Sequence, residues 1–190
     1  MEKHLSQNEL QRFYNKEIKS RSKGEIEQTV EGKRITEKNS KKRKSIFLCH
    51  SHLDKTIVTK IALLFDKVDC DIYIDWMDKA MPVVTDKNTA ALIKDKIQHC
   101  HKFLFLATSR ALQSKWCDWE LGIAYSIKKE NEMAILPIES KSGKWKGSEY
   151  LNLFPEMEFE TADLDNVEVR DIKIRYTQAK YILLEKWLIN

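Results

Sequence analysis

From residue 45 onward, short and largely apolar runs alternate with stretches in which apolar residues return every three or four positions. The runs occupy 45–50 (Ser-Ile-Phe-Leu-Cys-His), 71–75 (Asp-Ile-Tyr-Ile-Asp), 102–107 (Lys-Phe-Leu-Phe-Leu-Ala) and 133–138 (Met-Ala-Ile-Leu-Pro-Ile). Their lack of strict alternation predicts strands covered on both faces, as in a parallel sheet. Between the first two, Ile57, Ile61, Leu64, Phe65 and Val68 keep helical spacing behind a candidate N-cap at Asp54. Between the second and third, Thr85 can cap a helix whose inner face is Ala90, Ile93, Ile97 and Cys100. A third helix is predicted over 114–129, with Asp118 in its first turn, where the helix dipole favours a carboxylate, and with Leu121, Ala124 and Tyr125 as its core stripe. After a Lys/Ser/Gly stretch, a fifth strand is expected at 157–160. A closing helix is expected over 171–189, carrying Tyr176, Ile182, Leu183 and Trp187.

Strand–helix alternation of this kind predicts an α/β fold: a flavodoxin-like, open, doubly wound parallel sheet of about five strands, with ligands bound beyond the carboxyl ends of the strands. Residues 1–44 are polar and only briefly helical in pattern, around 10–18, so they read as a leader, with the domain at 45–190.

Charge sharpens that division. The chain carries +4 overall, yet residues 1–44 hold thirteen Lys/Arg against seven Asp/Glu, a balance of +6, which leaves the remainder slightly acidic. The leader ends in Lys41-Lys42-Arg43-Lys44 without interleaved aromatics, so a solvated tether is the expectation rather than a nucleic-acid site. No apolar run reaches the roughly 20 residues needed to cross a bilayer, and Met1-Glu2-Lys3-His4 does not begin a signal peptide, so a cytoplasmic protein with no membrane partner is expected. Cys49, Cys70, Cys100 and Cys117 have no C-x-x-C spacing, and reduced, buried thiols are expected.

Several chemistries are excluded by residue type. With glycine only at 24, 32, 122, 143 and 147, neither a dinucleotide fingerprint nor a Walker loop can be assembled. A phosphoacceptor receiver needs acidic residues after the first strand and an aspartate ending the third; those places read Cys49-His50 and Ala107-Thr108. Four of the five histidines form two H-x-H pairs, His50/His52 and His99/His101. The pairs belong to opposite edges of the sheet, about 16 Å apart for a five-residue strand, so one metal cannot join them and no metal site is expected.

Trp116 and Glu120 stand four residues apart near the start of the third helix, and so share one helical face. Taken alone, a helical Trp reads as core and a neighbouring Glu as exposed. Their place at the carboxyl edge of the sheet, beside His50-Ser51-His52-Leu53-Asp54 and the long loop from Trp76 to Val84, makes them candidates for chemistry.

Three segments in order then resemble a Toll/interleukin receptor (TIR) domain of the bacterial, NAD-consuming kind: Ile-Phe-Leu-Cys-His-Ser-His-Leu-Asp-Lys at 46–55, Tyr-Ile-Asp-Trp-Met-Asp-Lys-Ala-Met-Pro at 73–82, and the W-x-x-x-E of Trp116 to Glu120. The first departs from the family habit at His52, where serine is commoner. The resemblance is strongest over 45–138. It implies cleavage of the bond between nicotinamide and ribose in NAD+, with Glu120 catalytic and Trp116, Ser51, Trp119, Trp76 and Asp75 binding substrate. It also implies that Met77, Asp78, Lys79, Met81 and Pro82, in the loop the family calls BB, join neighbouring copies. The resemblance implies NAD+ as substrate and no separate cofactor. The product would be ADP-ribose or a cyclic ADP-ribose-type signal, read by a downstream effector in antiphage defence of the Thoeris type. The competing class is a non-catalytic TIR–TIR adaptor module, and Glu120 is the feature that separates the two, since one scaffold hosts both.

Overall fold

In the computed structural model, residues 4–21, 24–26, 45–78, 87–140, 145 and 147–190 are described. The strands in chain order are β1 (Leu5–Ser6), β2 (Ser45–Cys49), β3 (Asp71–Tyr73), β4 (Lys102–Ala107), β5 (Met133–Glu139), β6 (Glu156–Phe159), β7 (Ile172–Thr177) and β8 (Lys180–Leu183). The helices are α1 (Gln7–Ser20), α2 (Lys55–Lys67), α3 (Lys87–His99), α4 (Lys115–Ile127) and α5 (Leu184–Ile189).

All residues of β2 and β4 are buried. The sheet runs β3-β2-β4-β5-β6-β7-β8, parallel as far as β6. The five parallel strands thus lie in the spatial order second-first-third-fourth-fifth, which is the flavodoxin-like winding, with its switch point between β2 and β4. The expected fold class holds. Alternation along β2 divides the core into two layers. Ile46 and Leu48 face α1 and α2, whereas Phe47 and Cys49 face α3 and α4. On the second face Phe47 stacks between Tyr73 and Phe103, at centroid separations of 5.5 and 5.7 Å.

The N-terminal stretch is not a detached leader over its described part. β1 adds to β5 in parallel, Leu5 opposite Ile138. Ser6 and Glu9 then form a capping box that starts α1, with Ser6 Oγ accepting from Glu9 N and Glu9 Oε2 accepting from Ser6 N. Leu10 and Phe13 are buried in the first core layer, where α1 packs on α2. That packing explains why Val58, Ile61, Ala62, Leu63, Leu64 and Phe65 of α2 are all buried: the helix is covered by both the sheet and α1. Polar composition concealed this, because three large apolar anchors, Leu5, Leu10 and Phe13, suffice to seat a strand and a helix of nearly four turns. The basic run 41–44 lies outside the described residues.

The C-terminus also differs from expectation. Residues 171–189 do not form one helix; Tyr176, Ile182 and Leu183 belong to the antiparallel β7–β8 hairpin, and only six residues are helical. In β7 the alternation of buried Ile172 and Ile174 with Lys173 and Arg175 has period two, the signature of a half-covered antiparallel strand. The predicted stripe of α4 is corrected at one place, since Tyr125 is 69% exposed. Thr85, the proposed cap of α3, lies outside the described residues. No described helix is long and apolar enough to cross a membrane.

Candidate active site

The switch point places the ends of β2 and β4 beside each other, and the connections that follow them build the site. After Cys49 the chain passes through His50 and Ser51 into a short 3-10 turn, His52–Asp54. Ser51 is buried and its Oγ accepts from Leu53 N at 3.3 Å, so this hydroxyl shapes the turn. Asp54 stands at the N-cap position of α2, as expected, but its side chain makes no capping bond. Its buried carboxylate instead accepts from the hydroxyl of Thr108, with Arg110 Nη1 at 3.4 Å. Thr108 Oγ1 in turn accepts from Ala111 N at 3.0 Å. The loop after β2 and the loop after β4 are therefore tied together through a carboxylate and a hydroxyl that the sequence did not single out for this purpose.

Glu120 comes from α4, which starts where Ser114 Oγ accepts from Cys117 N at 3.4 Å. The inner stripe of this helix is Cys117, Glu120, Leu121 and Ala124. Glu120 is thus a core-facing residue, 5% exposed, and not the exposed glutamate its composition suggests. Burial pushes its carboxyl well above the usual range, since a charge loses hydration there; the Asp75 charge pushes the same way, while a hydrogen bond from the Cys49 thiol opposes both. Cys49 Sγ also lies 3.8 Å from the carbonyl of Cys117. All four cysteines are free and buried, and burial drives the Cys49 thiol upward, away from thiolate reactivity.

Asp75 follows β3 at the start of a 3-10 turn, Asp75–Met77. It is 9% exposed, and its Oδ1 accepts from Trp76 N at 2.7 Å. The Nε2 atoms of His50 and His52 stand 3.4 and 3.7 Å from its two oxygens. The segments after β2 and β3 therefore bring His50 and Asp75 together, and the Asp75 charge reaches Glu120. In the sequence His50 reads as a rejected metal ligand and as a member of the first loop, with no role in the site; its place at a strand end was the available signal. No group of three side chains fit to hold a metal occurs among the described residues.

The tryptophans do not gather round one base. Trp116 is half-buried against the second core layer, edge-on to Trp119 at 5.1 Å, and Trp119 is 38% exposed. Trp76 packs against the first layer, on the opposite side of the sheet, with Lys55 Nζ 5.3 Å over its ring. Met77 packs on the first layer as well. Asp78 accepts from Tyr73 OH at 2.9 Å and lies 3.6 Å from Lys96 Nζ, so the start of this loop is anchored. Lys79, Met81 and Pro82 lie outside the described residues.

Comparison with known proteins meets this geometry from another direction. A model of the protein family described as TIR domain matches residues 46–167. The "Probable 3' cyclic ADP-D-ribose synthase ThsB'" of Bacillus cereus (strain MSX-D12) is 31% identical over 157 residues, which is 80% of this chain and 79% of that protein. The "Putative cyclic ADP-D-ribose synthase TIR2" of Cytobacillus dafuensis is 28% identical over 102 residues, covering 51% of this chain but 27% of that longer protein.

Proposed function

The chain belongs to the TIR domain family, and we propose that it cleaves the nicotinamide–ribose bond of NAD+ and converts the ADP-ribosyl group into a cyclic ADP-ribose-type signal for bacterial antiphage defence. The observation that carries this reading is Glu120: a glutamate in W-x-x-x-E register, buried at the switch point of a doubly wound sheet with its affinity for protons raised. An adaptor module has no use for such a group. A buried carboxyl left there costs stability, and groups of this kind concentrate at functional sites.

The chemistry needs little more. When the C1′–N bond breaks, its electron pair leaves with nicotinamide, which departs neutral because it was cationic in NAD+. No acid is required, unlike the paired carboxylates of ordinary glycosidases. The ribose is left as an oxocarbenium ion, and the Glu120 carboxylate stabilises that charge, a contribution worth a few kcal/mol in a site shielded from water. Capture of C1′ by water, with loss of one proton, gives ADP-ribose. Capture by a nucleophile of the same molecule, with the same proton loss, gives a cyclic product. The names of both relatives favour the second outcome. Trp116 and Trp119 offer the aromatic surface on Glu120's side of the sheet. Copies of the chain associate through the loop following Asp75, whose sequence from Trp76 to Pro82 sets large apolar side chains beside charges.

Incubation of the purified full chain with NAD+, followed by chromatography of nicotinamide and the nucleotide products, tests this. Release of nicotinamide with a cyclic product, absent in Glu120→Gln, is expected. Equal and negligible release by both proteins at high concentration overturns the enzymatic reading in favour of the adaptor.

A further inference from the structure

His50 holds an acceptor that the fold does not use. Its ring lies at the carboxyl end of β2, 6% exposed, with Nδ1 at 2.8 Å from the carbonyl of Leu48. A carbonyl can only accept, so the proton of the neutral ring resides on Nδ1. Burial disfavours the doubly protonated ring. Nε2 therefore carries a lone pair; it is buried and makes no hydrogen bond among the described residues.

What faces it is another acceptor. Asp75 Oδ1 lies 3.4 Å from Nε2, too long for a charge-assisted bond, which falls at roughly 2.7–2.9 Å. That same oxygen already receives Trp76 N at 2.7 Å, which fixes the carboxylate in place. Two fixed lone-pair centres facing each other across this gap are unfavourable until a donor is shared between them, and a buried acceptor without a donor costs about 1–3 kcal/mol. His50 directly follows Cys49 at the carboxyl end of β2, and the Asp75 charge acts on Glu120, so the pair stands at the same edge of the sheet as the carboxyl assigned to C1′. The donors next to C1′ are the neighbouring 2′- and 3′-hydroxyls of the ribose, side by side on one face of the ring.

We propose that His50 Nε2 and the Asp75 carboxylate together accept the hydroxyls of the nicotinamide ribose, making His50 a substrate-binding residue that orients the sugar against Glu120. The assignment rests on the NAD+ reading above. It gives the H-x-H sequence a purpose other than metal binding: His50 reads the diol, and His52, 60% exposed in its side chain, lies at the rim beside the second oxygen of Asp75. It also accounts for the absence of a donor to Nε2 among the described residues, since the site is satisfied by substrate.

The test compares NAD+ with analogues lacking the 2′- or the 3′-hydroxyl of the nicotinamide ribose. His50→Asn retains an amide N–H in the place of Nδ1 for Leu48 and removes the acceptor at Nε2; His50→Gln restores a polar atom near Nε2. Deoxygenation alters the intrinsic lability of the bond, but that change cancels when the ratio of kcat/KM values is compared between proteins. Wild type is expected to prefer NAD+ over at least one analogue by tenfold or more beyond the preference of His50→Asn, with partial recovery in His50→Gln. In Asp75→Asn the amide oxygen must stay toward Trp76 N, so the carboxylate charge and one acceptor are lost and the same preference should fall. If His50→Asn does not fold, the Asp75→Asn ratio decides. Unchanged discrimination in the folded variants overturns the assignment while leaving NAD+ cleavage intact; no cleavage by wild type overturns the enzymatic reading itself.

Discussion

The Cys49 thiol at the end of β2 donates to the carbonyl of Cys117 at 3.8 Å, joining the sheet to the first turn of α4, the helix that bears the W-x-x-x-E residues. With that turn seated on the sheet, Glu120 on the inner stripe of α4 is buried rather than in solvent, and its burial sets how it should respond to mutation and to pH.

Glu120→Gln should abolish nicotinamide release and stabilise the protein. A group whose folded pKa is raised contributes stability that is complete below the unfolded carboxyl pKa and is lost as pH rises through the folded value. Glutamine avoids that loss. Calorimetry at several pH values should show nearly equal melting temperatures near pH 4, with the variant ahead by a few degrees above neutrality, where about 1 kcal/mol corresponds to roughly 2–4 °C in a chain of this size. A variant that melts below wild type at high pH would count against a buried, raised Glu120.

The pH profile of kcat/KM carries the same signature. Ionised Glu120 is the active form, so the acid limb should lie above the ordinary carboxylate range. Because the Asp75 charge contributes to the raised value, Asp75→Asn should move the limb toward lower pH. An acid limb at the same pH in both proteins would show that Asp75 does not act on this group.

Removal of residues 1–21 should destabilise the domain rather than trim a tail, because Leu5, Leu10 and Phe13 leave the core with it. Phe13→Ala alone should cost about 3–5 kcal/mol in urea unfolding. A loss under 1 kcal/mol would mean that α1 is only loosely seated.

Thr108→Val removes the hydroxyl that joins Asp54 to Ala111 N. The buried Asp54 carboxylate then loses a donor, and a loss of about 1–3 kcal/mol is expected. Because the two loops are joined there, turnover should fall with it. Retained stability together with full activity would show that the tie is dispensable.

Activity should depend on assembly. Specific activity is expected to rise with protein concentration, and Met81→Asp should depress it without lowering the melting temperature. A flat response across a hundredfold dilution, with a fully active variant, would place the complete site within one chain.

Much of this protein was determined by local pattern. Buried parallel strands read as apolar runs, the amphipathic helices between them keep a 3.6-residue period, and this order is enough to specify the sheet winding and the edge where the site forms. The spacing of Trp116 and Glu120 is likewise a property of the helix alone. What pattern could not decide was partnership between distant segments. Glu120 is buried because α4 lays its inner stripe on the sheet, and its titration answers to Asp75 from the segment after β3; His50 matters because Leu48 takes one ring nitrogen and Asp75 faces the other. Leu5, Leu10 and Phe13 look like scattered apolar residues in a polar stretch until β5 and α2 receive them. Ile172 and Ile174 read as strand only when β6 lies opposite. In each case the free energy resides in burial and in donor–acceptor matching between residues far apart in the chain, terms that exist only once the tertiary structure brings them together.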